Sequence, residues 1–301
     1  MMYDLHRLRL LRELSHRGTL AAVAQALGYN PSSISHQLTI LEREVGAPLL
    51  ERAGRRVRLT PAAMTLVGHT EQILLELERA EAAIAASRSQ IAGTVHIATF
   101  QTAARTFVLD AIDRLAEHHP ALWVTVTHVN AENAIPALVA RDFDLVLAEE
   151  YPGVPAPSRP GVEAATIGDD PLTLALPAGS GAADLPALAD TDWIMEPEGT
   201  LARAWAVDLC RSAGFEPRVS YESADVYLHL ALAVRGRAAA FLPRLGLAIP
   251  ETIRAVPTPH ARRITAAIRS GSAVNPALAA VREQILEAAA SALDPGAPGN
   301  G

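Results

Sequence analysis

Residues 18–61 read GTLAAVAQALGYNPSSISHQLTILEREVGAPLLERAGRRVRLTP, and the fold of the N-terminal region turns on them. Thr19 is placed to cap a short helix, Leu20–Leu27, and Gly28-Tyr29 makes a turn. Asn30 then caps a second helix in this stretch. Pro31 fits its first position, where a missing N–H costs nothing. That helix spans Pro31–Val45 and stops at Gly46. Residues 50–60 read as two short strands around Gly54 with arginines at the tip. Upstream, Leu5, Leu8, Leu11 and Leu14 mark one face of a preceding helix that ends at His16-Arg17-Gly18.

The helix after Asn30 has two characters. Ile34, Leu38, Leu41 and Val45 form an inward face, while Ser32, Ser33, Ser35, His36 and Thr39 lie on the others near its start. Short hydroxyls and an imidazole at a helix N-terminus can reach phosphates or base edges. An ordinary solvated helix start has the same composition, so these residues alone leave both readings open.

The charge distribution favours the first. The chain of 301 residues is half hydrophobic, enough for about two packed domains. Its net charge of −7 hides an asymmetry: residues 1–60 carry +4, residues 61–90 carry −2 and residues 91–301 carry −9. A basic head on an acidic body suits a modular nucleic-acid-binding protein. All 26 basic residues are arginine, which GC-rich codon usage explains, although its forked donor set also suits phosphate.

Other classes find little support. Cys210 is the single cysteine, so no internal disulfide framework or cysteine zinc cluster is available, and its helical context reads as a plain buried thiol. No GxGxxG, P-loop, HExxH or GxSxG motif occurs, which argues against an enzyme and against a bound cofactor or metal. His118-His119 before Pro120 reads as helix C-terminal capping. The N-terminus lacks an uninterrupted apolar segment and no stretch approaches 18 apolar residues without a charge, so a cytoplasmic location is expected.

From Pro61 to about Arg88 only Gly68 interrupts a long helical pattern. Leu66, Ile73 and Ala80 alternate with Thr70, Leu77 and Ile84 at heptad spacing. This stripe is either a dimer seam or one face of a helix packed on its own chain. After Gly93 strands and helices alternate: strand Val95–Phe100, a helix to His118, strand Trp123–Val129, a helix from about Glu132 to Ala140 and strand Phe143–Leu147. That order predicts a parallel sheet. Short strands follow at Leu172–Leu176, Trp193-Ile194, Val219–Tyr221, Ala238–Phe241 and Arg263–Ile268. Helices are expected at Leu201–Ala213, Val226–Val234 and Pro276–Leu293.

The order of these features resembles the LysR family of transcriptional regulators. The residues carrying the resemblance are Gly18-Thr19, Ala22, Ala24, Leu27, Ser35, Gln37, Leu38, Leu41-Glu42, Gly46, Leu49-Leu50, Arg52, Leu59-Thr60 and Pro61. Departures fall at Pro31, His36, Ala21 and Ala63, where the family usually has Gln, Arg, Thr and Gly; they bear on the operator sequence, not the fold.

The resemblance implies a multidomain fold: an all-α winged helix-turn-helix at 1–60, a linker and dimerisation helix at 61–90, and an α/β effector domain at 91–301. That domain would resemble a periplasmic binding protein, with subdomain I about 91–165 and 265–293 and subdomain II about 166–264. It further implies double-stranded operator DNA, a small-molecule effector, a dimer or tetramer of this chain, and RNA polymerase if the chain activates. Ser32, Ser33, Ser35 and His36 would enter the groove, with Arg52, Arg55 and Arg56 on phosphate or in the minor groove. The effector would sit where strands give way to helices, at Thr99, Gln101, Thr102, Asn130 and Thr200; capping alone explains the threonines equally well. Glu149-Glu150 reads as a solvated strand end, or as a pointer to a cationic ligand. A solute-binding transport component, or a regulator that answers to no small molecule, remain the rivals.

Overall fold

The computed structural model describes residues 3–53, 56–87, 90–154 and 161–294. Arg55 lies outside the described residues, and so do the side chains of Arg52 and Arg56. The chain divides into two units, residues 1–87 and 88–301.

The first unit opens with α1 (Leu5–Arg17), α2 (Leu20–Leu27) and α3 (Pro31–Val45). Each expected cap is made: Thr19 Oγ1 accepts from Ala22 N at 3.1 Å, and Asn30 Oδ1 accepts from Ser33 N at 2.8 Å. Gly18, Gly28 and Gly46 close the three helices in the left-handed conformation, which only glycine adopts without strain. The core joins Leu8, Leu10, Leu11 and Leu14 of α1 to Val23, Ile34, Leu38, Leu41 and Leu49. Strands β1 (Leu50–Ala53) and β2 (Arg56–Leu59) pair antiparallel as the wing. Glu42 anchors the wing to α3, because its Oε1 accepts from the backbone of both Leu49 (2.8 Å) and Leu50 (3.1 Å).

Thr60 starts α4 (Pro61–Ala86) by accepting from Ala63 N, while its own hydroxyl donates to Pro48 O. The face of α4 turned to its own chain runs through Ala63, Val67, Thr70 and Leu74. Thr70 therefore leaves the expected stripe, whereas Ile73, Leu77 and Ile84 stay exposed. A buried ionic cluster ties α1 to α4. Arg12, 2% exposed, donates to Glu13 and Glu71 at 2.7 Å; Arg17 reaches Glu13 at 2.8 Å and His16 lies 2.8 Å from Glu71.

The second unit is α/β. Strand β3 (Gly93–Thr99) leads into α5 (Gln101–Ala103), a π-turn over Ala104–Val108 and α6 (Leu109–His118). The single helix expected here is thus widened at Thr106, whose hydroxyl donates to Thr102 O at 2.7 Å. Strand β4 (Leu122–His128), α7 (Ala131–Val139) and β5 (Leu145–Glu150) complete the βαβ units. Then come β6 (Val162–Ala175), a 3₁₀ turn, β7 (Asp192–Met195), α8 (Leu201–Ser212), β8 (Arg218–Glu222) and α9 (Val226–Val234). Strands β9 (Ala240–Pro243) and β10 (Ala255–Arg269) precede the closing helix α10 (Pro276–Leu293).

The main sheet has the order β4-β3-β5-β10-β6-β9, and β7 pairs with β8 apart from it. Strands β4-β3-β5 are parallel, as the βαβαβ order predicts, and so are β7-β8; β10 and β6 run antiparallel to their neighbours, so the whole sheet is mixed. The reason lies in β6 and β10, two strands of 14 and 15 residues where the sequence suggested much shorter ones. They pair along their length and carry the chain between two lobes. A register shift between Pro257 and Ala261 absorbs Pro171 and Pro257, and a second falls between Ile264 and Thr265. One lobe packs α6 and α10 on β3, β5 and β10; the other packs Trp193, Trp205 and Phe241 around β7, α8 and β9.

Candidate ligand-binding cleft and nucleic-acid interface

On α3, Ser32, Ser33, His36 and Thr39 are exposed and Ser35 is half-buried, opposite the inward Ile34, Leu38 and Leu41. Ser32 is partly committed, since its hydroxyl donates to Asn30 Oδ1 at 2.6 Å. Arg7 of α1 braces α3 from behind through Glu44, at 2.6 Å, and Gln37. The wing register places Arg52 opposite Val57, and Arg56 opposite Ala53 at the turn end.

The second unit contains a cleft between its two lobes. Its walls come from the β3–α5 junction (Phe100, Gln101, Thr102), the β4–α7 junction (Asn130, Glu132), the end of β5 (Glu149, Tyr151), Arg262 of β10, Glu196 after β7 and the starts of α8 and α9. As it stands the cleft holds about 30 Å³ of free space, so a ligand larger than a water must part its walls. An apolar recess continues from it between Met195, Trp205 and Phe241, sharing Tyr151, Glu196 and Arg262 with the first chamber. Among the expected positions, Gln101, Thr102 and Asn130 line the cleft. Thr99 is fully buried beneath it, and Thr200 caps α8 by accepting from Arg203 N while donating to Pro197 O.

Two hydrogen bonds cross the cleft. Gln101 Nε2 donates to Asp225 Oδ1 at 3.2 Å, and the backbone N–H of Leu201, at the start of α8, donates to Glu132 Oε1 at 2.6 Å. Beneath them lies Arg262, 3% exposed, at the middle of β10. Its Nε donates to Asp170 Oδ2 at 2.9 Å, one terminal nitrogen bonds Glu149, and the other reaches Thr102 Oγ1 at 2.6 Å and Asp170 at 2.8 Å. The guanidinium also stacks 4.9 Å from the centre of the Phe100 ring, with Tyr151 close by. Burial opposes its charge, but Glu149 and Asp170 outweigh that and hold its pKa above the usual arginine value.

The carboxylates outnumber this cation. Burial pushes Glu149 upward despite Arg262, so the solvated strand end expected for Glu149-Glu150 does not hold for Glu149, which is 8% exposed. Glu196 is pushed up to about 8, by burial first and then by Glu149 and Glu132, so it is largely protonated at neutral pH. His229, at the apolar recess, has its pKa lowered by burial; its Nε2 lies 2.7 Å from Ser223 O and therefore carries the proton.

Arg262, Glu196, Asp170 and Tyr151 escaped the sequence reading. The visible signals were weak: a charged pair, Arg262-Arg263, next to the apolar run Ile264–Ile268, and a glutamate at the end of Trp193–Met195.

Comparison with known proteins places both units. Residues 5–64 match the bacterial regulatory helix-turn-helix family of lysR type, and residues 88–290 match the LysR substrate binding domain. The regulator CbbR of Xanthobacter flavus is 32% identical over 177 residues, covering 58% of this chain and 51% of that protein. A probable hydrogen peroxide-inducible genes activator of Mycobacterium avium is 30% identical over 212 residues, covering 69% and 67%. A full-length OxyR variant from Pseudomonas aeruginosa has the same fold, with a TM-score of 0.64 at 19% identity over 95% of each chain. The LysR-family regulator CbnR gives 0.51 at 24% identity, over 94% of this chain and all of that one. The chain therefore belongs to the LysR family of DNA-binding transcriptional regulators, with a helix-turn-helix head and a substrate-binding body.

Proposed function

We propose that the chain binds operator DNA through residues 1–60 under the control of a small molecule held in the cleft of its second unit. The observation that carries this reading is the pair of cross-cleft hydrogen bonds, Gln101 to Asp225 and Leu201 to Glu132. A ligand entering between these groups must replace or reinforce them. Its binding energy is thereby coupled to the relation of the two lobes.

In this reading Ser32, Ser33, Ser35 and His36 approach base edges, and Arg52, Arg55 and Arg56 approach the phosphates or minor groove. The exposed stripe of Ile73, Leu77 and Ile84 on α4 joins two copies, and pairs of dimers assemble on one operator. Ligand then alters the spacing of the DNA-reading heads, and an activated form contacts RNA polymerase. The site of action is the cytoplasm, and no helix among the described residues is long and apolar enough to cross a membrane. Catalysis has no part in it, in keeping with relatives named as transcriptional regulators.

The trigger is non-covalent. Some relatives carry names that refer to hydrogen peroxide. Cys210 is the chain's single cysteine and is fully buried, with its thiol pushed up to about 12 by burial and then by Glu216. So little thiolate exists at neutral pH that oxidation is a poor switch.

The test uses full-length protein and operator duplexes selected from a random-sequence library. Specific binding is expected, with Arg55→Ala reducing the slope of log affinity against log salt by about one unit. Selection that enriches no sequence, or an unchanged salt slope, would overturn the DNA half of the reading. For the cleft half, a metabolite screen should find a compound that raises the unfolding midpoint by linkage.

A further inference from the structure

We propose that the cleft takes an organic cation, a protonated amine or guanidinium on a short apolar body. This rests on the reading of the cleft as the effector site and names the chemistry of its ligand.

Three of the places where an anion would dock, the arginine and the starts of α8 and α9, are already occupied by the chain itself. Arg262 is the cation lining the chamber, and its donors are engaged by Asp170, Glu149 and Thr102. The leading N–H of α8, which would attract a carboxylate or phosphate, is held by Glu132 at 2.6 Å. At α9 the same role falls to Asp225, which accepts from Tyr227 N at 2.9 Å. An incoming carboxylate would find these donors taken and the surrounding charge negative.

What is left over is acceptor. The side chain of Glu149, nine-tenths buried, gives Oε2 to Arg262. Gln101 commits its Nε2 to Asp225, and its Oε1 is buried without a partner. Glu196 stands at the boundary between the polar chamber and the recess of Met195, Trp205 and Phe241, protonated in the free protein and able to become an acceptor when a cation draws the proton off. A buried acceptor without a donor is costly, and an ammonium or guanidinium supplies several donors at once. The recess of about 40 Å³ offers an apolar lining that such a ligand's body would widen on entry, and its aromatic faces favour a cation close by.

The charge of Glu196 gives this proposal a readout. Facing it are Glu149 from β5, Glu132 from α7, Arg262 from β10 and the Thr200 hydroxyl from α8. Arg203 of α8 donates to the Glu196 carbonyl, His229 of α9 stays neutral against Ser223, and His128 stands at the mouth. Free Glu196 holds its proton at neutral pH, and a cation bound beside it favours the carboxylate. Binding then releases a proton, and apparent affinity rises with pH by up to tenfold per unit below about 8.

The experiment is calorimetric titration of the full-length protein with 2-phenylethylamine, agmatine and putrescine. The shape-matched anion 3-phenylpropanoate serves as the contrast. Each is run at pH 6 and pH 8 in buffers of different ionisation enthalpy. The expected result is binding of at least one cation, more than tenfold tighter at pH 8, with net proton release at pH 7. Glu196→Gln should remove the proton release and weaken binding about tenfold, with unchanged unfolding as its folding control. The wild-type proton release stands as evidence even if that variant folds poorly. Binding of 3-phenylpropanoate with no heat from any cation would overturn the cation and leave the cleft as the effector site. Silence from all four probes would overturn the proposal; a neutral compound from the metabolite screen would then still uphold the cleft.

Discussion

Each unit of this protein buries an arginine among carboxylates, and the two clusters differ in balance. In the first unit Arg12 and Arg17, with His16 beside them, face Glu13 and Glu71, so cations and anions match. In the second, Arg262 alone meets Glu149 and Asp170, with Glu132 and Glu196 close by. The matched cluster joins α1 to α4, with Glu71 partly open to solvent. The mismatched one forms the floor of a cavity. A cluster whose charges are paired fixes geometry, whereas one with excess acid at a cavity holds a free energy that a ligand can change.

The largest consequence is for Arg262. Replacing it by leucine removes the charge that compensates Glu149 and Asp170 and should cost roughly 3–5 kcal/mol. Asp170 keeps two backbone donors, Arg244 N at 3.1 Å and Leu245 N at 2.9 Å, but Glu149 keeps none among the described residues. All three tryptophans, Trp123, Trp193 and Trp205, lie in the second unit, so their fluorescence follows its unfolding. The midpoint should fall by on the order of 10 °C. A drop of less than about 2 °C would show that Arg262 does not hold the lobes. Arg12→Leu should cost less, about 2 kcal/mol, because Arg17 still serves Glu13 while His16 and solvent still serve Glu71. Equal losses in the two variants would break the comparison.

The pH dependence sharpens it further, because the two clusters titrate in opposite senses. Glu71 is held below the usual glutamate value: burial works against its charge, but His16 and Arg12 outweigh it. Its contribution is present above the unfolded value and is lost as pH falls through the folded one, so the first unit should weaken only below about pH 4.5. Glu149 and Glu196 are raised, and Glu196 stands at about 8. His229, lowered by burial, works the other way below about pH 6.5; above it the native second unit binds more protons than the unfolded chain, and its stability should decline as pH rises to about 8. Tryptophan-detected melting should move down across that upper window, and Glu196→Gln should flatten the trend. A wild-type midpoint that does not move between pH 6.5 and pH 8 would contradict the raised Glu196.

The contrast also explains what could be read from the sequence. The helix-turn-helix is local: the side chains of Thr19, Asn30 and Thr60 cap helices by accepting from backbone N–H groups three residues on, and the glycines that end α1, α2 and α3 sit at the expected places. Periodicity and capping are short-range signals, so they survive in one dimension. Arg262 acts instead on Glu149, 113 residues away, and on Thr102, 160 residues away. Position at a strand–helix junction singled out Gln101, Thr102 and Asn130, which line the cleft, but it could not separate them from Thr99, which ends β3 and is fully buried. The long strands stayed hidden because Pro171 and Pro257 look like terminators. In the fold Pro171 lies opposite Ala261 and Pro257 opposite Thr173, on either side of a register shift that accommodates them.

The smallest effect belongs to the region best read from sequence. Asn30→Ala removes the cap of α3, where Asn30 Oδ1 serves both Ser33 N and the Ser32 hydroxyl, and should cost about 1 kcal/mol. Circular dichroism should register the loss, while tryptophan-detected melting should not, since the change lies in the unit without tryptophan. The same cap also fixes the orientation of Ser32. A fall in operator affinity larger than the fall in stability can explain, with binding to random DNA unchanged, would mean that the cap presents the serines to the bases. Equal losses on both DNAs would assign it to helix stability alone, and the specific contacts would then rest on Ser35 and His36, which the cap does not hold.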